Sequence, residues 1–432
     1  MSKVYDTVII GAGASGLACA AALHMYSAEK PDILIIDVNK KAGRKLLATG
    51  NGRCNLSNEN MSVKYYYGDV SEASSLLGRS AADEVNDFFR KLSLITTTDE
   101  EGRVYPISRQ AQSVLSVLMT FLESKGAGFL YETEVTGVKH NKGLYEISTS
   151  SEVYKTRNLV LATGGKANPK LSSGRSGYDI AVSLGHSCTK LYPALTQLKT
   201  EDRFLSSLSG VRCRARISLM ADRMKIAEET GELQIADKAL SGICVFDLSS
   251  YASEFFTCGR IKNKPIKKPH TKLFADIDFM PDMSFEELLQ YLVGKKKNLP
   301  EEKAGTFLDG VLNLKLSEKF MKVLNLDTES NLSELRTEDI VRICRSVKST
   351  SLEITGTKSW DDAQVTGGGI PLNEISCTSM ESGKNRGLYL CGELLNIHGR
   401  CGGYNLNFAW ITALTAAKSI AEKSKSKNVK NK

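Results

Sequence analysis

The chain begins with an apolar run, Thr7-Val8-Ile9-Ile10, that gives way at once to Gly11-Ala12-Gly13-Ala14-Ser15-Gly16 and then to small apolar residues through Leu23. A short continuous apolar run predicts a strand buried on both faces, and the glycine cluster predicts a tight turn into a helix. A second apolar run, Ile33-Leu34-Ile35-Ile36, ends at Asp37. Further on, 108–125 carries apolar residues at 111, 114, 115, 118, 121 and 122, the spacing of one helix face, and 128–136 reads as a strand. Leu159-Val160-Leu161, closing on Ala162-Thr163-Gly164-Gly165, and Leu388-Tyr389-Leu390, closing on Cys391-Gly392-Glu393, predict two more buried strands that end in glycine. A long uncharged helix is expected from about Tyr404.

Between 192 and 357 the pattern changes. Val211, Cys213, Ala215, Ile217 and Leu219 alternate with Arg212, Arg214 and Arg216, which predicts a strand with one wet, cationic face. That face is either a wall for an acidic substrate or, more simply, the solvated side of a barrel strand. Residues 231–243 suggest a hairpin running into a packed loop, and 271–279 a further strand. Ser284 and Glu287 have capping-box spacing ahead of Leu288, Leu289 and Leu292, and 301–324 and 337–348 continue a helical pattern. The expected organisation is one α/β domain split in sequence, 1–191 and 358–420. Inserted between its halves are a β-rich, barrel-like unit at 192–280 and a small helical unit at 281–357, and a lysine-rich tail follows at 421–432.

Composition narrows the classes. The 432 residues are 41% hydrophobic and 25% charged, which supplies a sizeable core and excludes wholesale disorder. Ten cysteines are present but no CxxC, and the five histidines include no HExxH, so no metal site is expected and scattered thiols suit a reducing, cytoplasmic setting. The uncharged stretch 7–28 superficially resembles a membrane or export segment, but Gly11, Gly13 and Gly16 argue against that. The net charge of +8 is concentrated. Segment 259–272 carries Arg260, Lys262, Lys264, Lys267, Lys268 and Lys272 without an acid, and 418–432 is a lysine tail with a single Glu. The rest is slightly acidic, and no aromatic–basic cluster accompanies these runs, which weighs against a nucleic-acid partner.

The glycine cluster is the GxGxxG pattern. Gly11 permits the tight turn, Gly13 the approach of a pyrophosphate to backbone, and Gly16 close packing of helix on strand, while Ala14 and Ser15 open the helix at the phosphate. Asp37, 21 residues after Gly16, stands where an acid accepts hydrogen bonds from ribose hydroxyls. The pattern alone serves FAD or NAD. Returns to the cofactor at Thr163-Gly164 and at Gly392-Glu393 are those of an FAD domain of the glutathione-reductase type, in which Glu393 would hold the ribityl chain; backbone near Val135 either meets adenine or is plain core structure. The final helix would aim its positive end at the flavin. With no second GxGxxG there is no dedicated nicotinamide domain.

Four longer motifs carry a family resemblance. Gly43-Arg44-Lys45-Leu46-Leu47-Ala48-Thr49-Gly50-Asn51-Gly52-Arg53-Cys54-Asn55 and Gly102-Arg103-Val104-Tyr105-Pro106 lie early. Trp360-Asp361-Asp362-Ala363-Gln364-Val365-Thr366-Gly367-Gly368-Gly369 and Gly402-Gly403-Tyr404-Asn405-Leu406 lie late. In this order they resemble the bacterial flavoproteins that include aminoacetone oxidase and the bile-acid enone reductase BaiN. The resemblance covers nearly the whole chain and implies an FAD domain of the Rossmann type, split by an insertion, with the flavin facing a cleft between the two. It places Arg44, Lys45, Thr49, Gly50, Arg53 and Asn55 near the cofactor with Gly403, Asn405 and Leu406. Arg44 and Lys45 could supply cationic donors to the pyrophosphate edge. Cys54, lacking a His or resolving Cys partner, reads as a packed thiol.

The chain also departs from that family. Asn396-Ile397-His398-Gly399 stands where relatives usually show Asp-Val-Asp-Gly, and Ser172 and Arg175 stand where relatives tend to have glycine, beside Ser173, Gly177 and Tyr178. The expected function is FAD-dependent oxidation–reduction of a small molecule. One form is NAD(P)H-linked reduction of a conjugated double bond, with NAD(P)H as a transient donor and His398 as general acid. Oxidation of a small amine by oxygen and, from another class, an RNA-associated flavoprotein are the alternatives. Oligomeric state is not legible.

Overall fold

A computed structural model describes residues 3–171, 176–205, 207–266, 268 and 270–430, with side chains as far as 426. The chain divides into two compact units, one formed by 1–192 with 364–432 and the other by 193–363.

The first unit is built on a seven-stranded sheet. Gly128–Leu130, Ile33–Ile36, Val4–Ile10 and Val153–Leu161 lie side by side in that order, all parallel. Leu388–Leu390 also pairs with Val153–Leu161 in parallel, and the hairpin Val135–Asn141/Leu144–Thr149 extends the sheet antiparallel. In register, Ile10 faces both Ile36 and Leu161, so three strands end level. Gly11, Asp37 and Ala162 therefore leave the sheet at one edge, the carboxyl end where open α/β sheets bind ligands.

The helix after the first strand, Ala14–Tyr26, has Ala18, Cys19, Ala20, Ala21 and Ala22 all fully buried. It is apolar all round because it is covered on every side, with the final helix Tyr404–Lys430 packed closely along it. The predicted helix at 108–125 is Ala111–Lys125, ended by Gly126 in the left-handed conformation (φ 71°). The strand expected at 128–136 is two strands on opposite sides of the sheet. Glu132 (φ 52°) turns the chain, and the amides of Glu132 and Thr133 donate to the carbonyls of Asn39 and Asp37 instead of to a neighbouring strand.

The second unit also has a seven-stranded sheet, in the order Thr350–Ile354, Leu273–Asp278, Arg212–Ala221, Met224–Ala236, Ala239–Ser241, Leu198–Lys199, Gly356–Thr357. Its first and last members are separated in sequence by Thr355 alone, so the sheet must curl back on itself. Ala215, Ile217 and Leu219 face the core as the alternation predicts. On the other face Arg212 pairs with Glu232 and Arg214 with Asp282, while Arg216 shares Asp278 with Lys348, so carboxylates interrupt this cationic face.

The loop expected after Ser241 is instead a helix, Ile243–Cys258, whose Val245, Leu248 and Ala252 enter the core at helical spacing. Ser284 and Glu287 form the predicted capping box at the start of Phe285–Asn298, and Thr337–Lys348 is helical as expected. The run at 301–324 is not one helix: a single turn at Ala304–Thr306 is separated from Leu314–Val323 by Gly310 (φ 77°), and Asn313 caps the second helix. Strands and helices of this unit share one apolar core, reaching from Leu198 to Ile354.

Close packing at the glycine turn makes a direct prediction. A Cβ on Gly16 would lie 1.9 Å from the Gly11 carbonyl oxygen. Gly16→Ala should push helix from strand and cost about 1–3 kcal/mol, read as a lower urea midpoint; an unchanged midpoint contradicts the packing described.

Candidate functional site

At the carboxyl edge of the first sheet lies a cavity of about 340 Å³. The glycine turn forms one wall. Gly11 takes φ 110°, and a side chain there would sit 2.4 Å from the Ala162 carbonyl oxygen, so only glycine fits. Ala12 N donates to Asp37 Oδ2 (2.6 Å), and Gly43 N donates to Ala12 O (2.9 Å). Gly13 begins the helix without a side-chain cap, and a Cβ on it would meet nothing within 4 Å. The first amides of a helix lack intrahelical acceptors. Those of Gly13, Ala14 and Ser15 thus lie at an open cavity wall at the positive end of the helix, a cradle for a pyrophosphate.

Asp37 lines the cavity too. Its Oδ1 also accepts from the Asn39 backbone amide (2.7 Å) and from Asn39 Nδ2 (2.9 Å), so of about four lone-pair sites the one left, on Oδ2, can receive a ribose hydroxyl. The 131–134 turn brings Thr133, Glu134 and Val135 to the same cavity. Thr163 and Gly164 follow the central strand into it. Gly177 backs this segment: a Cβ there would lie 1.8 Å from Thr163 Oγ1. Ser172, Ser173 and Arg175 lie outside the described residues.

The early basic motif reaches the cavity through Arg44, Lys45 and Thr49. Arg44 donates to the Lys170 carbonyl (2.9 Å) and to Asn39 Oδ1, tying two rim segments together. Lys45 Nζ forms a half-buried ion pair with Glu393 Oε2 at 2.7 Å, and Glu393 Oε1 accepts from Thr366 N (2.8 Å). The two residues expected to serve opposite parts of the cofactor, Lys45 at the pyrophosphate and Glu393 at the ribityl chain, are here held together. Asn405 and Leu406 bring the start of the final helix to the cavity, with Ile397 and Phe408 adding apolar surface.

Gly16, Gly50, Arg53, Asn55, Gly392 and Gly403 do not line the cavity. Gly16 packs the helix on the turn. Gly392 (φ 71°) lies against Ser15, with space for a Cβ only 2.9 Å from its Oγ. Arg53 is exposed and folds onto the Gly50 carbonyl and the Tyr105 ring. Asn55, its amide oxygen turned toward Gly403, accepts from Gly403 N (3.1 Å) and donates to Ser57 O (2.9 Å). With Ser57 to Asn407 (2.8 Å) and Asn58 to the Gly402 carbonyl (2.9 Å), it stitches the early motif to the start of the final helix. Gly16, Asn55, Gly392 and Gly403 thus pack behind or fasten segments of the cavity wall. Cys54 is fully buried, and desolvation pushes its thiol up to about 12, which makes it packing material and not a nucleophile.

His398, expected as a general acid, is not among the residues that line the cavity. It lies in the strand Ile397–Gly399, where successive side chains point to opposite faces. Ile397 faces the cavity, and His398 turns away into a pocket between the Tyr67 ring, stacked at 4.9 Å, and the Tyr192 ring at 5.9 Å. Burial lowers its pKa to about 3, so it is neutral at physiological pH. The period-two alternation of a strand is the sequence signal that sets Ile397 and His398 on opposite faces. Thr133, Glu134 and Gln364 also line the cavity and carried no signal beyond their neighbours in motifs.

No described helix is long and apolar enough to cross a membrane. Comparison with known proteins agrees with the cavity. The family model for the HI0933-like protein Rossmann domain matches residues 5–419. A 3-dehydro-bile acid delta(4,6)-reductase of Clostridium scindens is 34% identical over 419 residues, 96% of this chain and 98% of its own. Ribosomal RNA dihydrouridine synthases are 27% identical in Haemophilus influenzae, over 98% of this chain and 100% of the relative, and 28% identical in Escherichia coli, over 96% and 98%. Among solved structures, the 3-ketosteroid-delta4-(5alpha)-dehydrogenase of Rhodococcus jostii superposes with a TM-score of 0.49 at 13% identity, covering 98% of each chain. The chain belongs to the HI0933-like Rossmann-domain family.

Proposed function

We propose that this protein reduces a carbon–carbon double bond conjugated to a carbonyl in a small molecule, with NAD(P)H as the hydride source. The observation that carries the reading is the nearly end-to-end 34% identity with a reductase of a 3-dehydro bile acid. The cavity is consistent with it. FAD, when bound, supplies the hydride chemistry. The chain's residues bind and orient it: the amides of Gly13 to Ser15 at the pyrophosphate, Asp37 at the adenosine ribose, and Val135 beside the adenine. The final helix directs its positive end, at Asn405 and Leu406, toward the cavity, which stabilises negative charge there. Ile10, Leu46, Ile397 and Phe408 keep that part of the wall dry. His398, buried and neutral, is outside this machinery, so the proton that completes saturation comes from another group or from solvent.

Anaerobic mixing with NADH or NADPH should bleach the bound flavin, and a conjugated enone should restore its colour. Bleaching by neither nucleotide sinks the NAD(P)H-linked reading. His398→Gln should leave the pH dependence of turnover unchanged between about pH 6 and 8; loss of an ionisation in that window would reinstate histidine as the acid.

A second reading is favoured by the two relatives named as ribosomal RNA dihydrouridine synthases. The 5,6 double bond of uracil is itself conjugated to a carbonyl, so the same chemistry would act on a base in RNA. In this chain the basic segment forms a small hairpin, Arg260–Ile261 with Lys264–Pro265, on which Lys264 is exposed, with exposed Lys268 following. Incubation of unmodified ribosomal RNA with protein and NAD(P)H, followed by nucleoside mass spectrometry, separates the readings. A gain of two hydrogens on uridine supports the RNA substrate; enone turnover with unmodified uridine supports the small molecule. No observation favours the amine-oxidase alternative.

A further inference from the structure

Away from the cavity, the first unit buries a polar cluster that the proposed chemistry does not use. His186 follows the helix Ser176–Ser183, and its side chain is completely buried. Its Nδ1 lies 2.8 Å from Glu374 Oε2 and its Nε2 lies 2.8 Å from Ser382 Oγ. The order Ser–His–Glu resembles a nucleophile triad, but the hydroxyl is not poised for attack. Ser382 Oγ accepts from the backbone amides of Lys384 and Asn385, both at 3.0 Å, so those amides hold the hydroxyl itself rather than the site of an oxyanion.

Counting lone pairs fixes the protons. A serine oxygen has two acceptor sites and one hydrogen. Both sites are taken by the two amides, so the hydrogen points at His186 Nε2, which must be unprotonated. Nδ1 then carries the ring hydrogen and donates to Glu374. A proton on Nε2 would offer Ser382 a third donor that it has no lone pair to receive, and would strand its own hydrogen. Protonation of His186 is therefore incompatible with the 382–385 turn as built.

That turn is what holds the end of the helix. Lys384 Nζ donates to the Gly185 carbonyl (2.7 Å) and Asn385 Nδ2 to the Leu184 carbonyl (2.6 Å), capping the carbonyls after Ser183. Ser187 adds its amide (3.0 Å) and hydroxyl (2.7 Å) to Glu374. The same helix presents Ser176 and Ile180 to the cofactor cavity. We propose that His186, Ser382 and Glu374 form a protonation-sensitive latch: the neutral imidazole locks the 382–385 turn onto this helix, and its protonation releases one wall of the FAD cavity. The coupling to cofactor rests on FAD occupying that cavity.

The charged groups facing His186 are Glu374, the last residue of the single turn Leu372–Glu374, and Lys384, on the turn it locks; Lys384 and Glu374 pair at 2.8 Å. Burial lowers the His186 pKa, Glu374 raises it in part, and Lys384 lowers it again, leaving it below its ordinary value. Burial acts to raise Glu374, but Lys384, Ser187 and His186 overcome this and hold it at about 2, so it remains a carboxylate while His186 titrates. With the histidine pKa depressed in the latched state, stabilisation is complete above the unperturbed value of about 6.5 and is lost as pH falls below it.

The test uses the holoenzyme. Flavin retention, read as release into an ultrafiltrate, is measured from about pH 8 to pH 5 alongside hydrogen exchange of the amides of 176–187, corrected for intrinsic rates. The apparent FAD dissociation constant should rise by up to about tenfold per pH unit once His186 protonates, with matching loss of protection in this segment. His186→Asn, whose amide can donate to Glu374 but does not titrate, should flatten both profiles. A thermal melt at the alkaline end confirms that the variant is folded, and Ser382→Ala, which removes the conflicting hydroxyl, should weaken the pH dependence in the same sense. Flat profiles in the wild type, or unchanged profiles in a folded His186→Asn, overturn the latch. Exchange that follows pH while flavin retention does not overturns its coupling to the cavity. Failure to bind FAD at any pH would instead sink the cofactor reading, leaving the exchange profile to judge the latch.

Discussion

Three parallel strands that stop at the same level, at Ile10, Ile36 and Leu161, determine where the working parts of this protein can lie. Because the strands end in register, the turn after the first is pressed against the backbone after the third. Gly11 has no room for a side chain beside the Ala162 carbonyl, and Gly16 has none beside Gly11. From that packing follow the uncapped helix start at Gly13 and the reach of Asp37 to the Ala12 amide. The alanine-rich helix that lies flat beneath the final helix belongs to the same arrangement. A bulkier residue in the turn would separate helix from strand and leave the cradle without its amides.

The final helix has to be brought to this edge from nearly four hundred residues away. Polar stitching does it: Asn55, Ser57 and Asn58 bind Gly403, Asn407 and Gly402, and Lys45 reaches Glu393. Segments that read in sequence as cofactor ligands are thus partly the fasteners that close the cavity wall. Cationic residues are absorbed in a similar way elsewhere. Lys295, Lys303, Lys319 and Lys348 donate to main-chain carbonyls of their own unit, and the arginines of Arg212–Ala221 pair across to carboxylates. A lysine so used satisfies a helix end or a loop of its own unit.

The glycine turn, Asp37, the arginine-bearing strand and the capping box at Ser284 were legible because each depends on local spacing and on the conformational demands of a few residues. The break within 128–136 was not: Glu132 and Thr133 leave the strand to donate to the carbonyls of Asn39 and Asp37, partners almost a hundred residues earlier. The split of 301–324 hinged on Gly310, a single backbone conformation inside a helical pattern. The placement of His398 was not legible either: a histidine where relatives carry an acid suggests chemistry, whereas one step of strand alternation sets it between two tyrosine rings.

By itself the sequence determined the family, the nucleotide-type glycine turn and the insertion of a second folding pattern, since these are written in glycine spacing, apolar period and long contiguous motifs. Tertiary structure alone decided which polar residues meet. The pairing of Lys45 with Glu393, the exclusion of His398 from the cavity and the closed circle of His186, Ser382 and Glu374 all join residues far apart in the chain. Their hydrogen bonds and charge states depend on burial and on exact partners in space, quantities that no local pattern encodes.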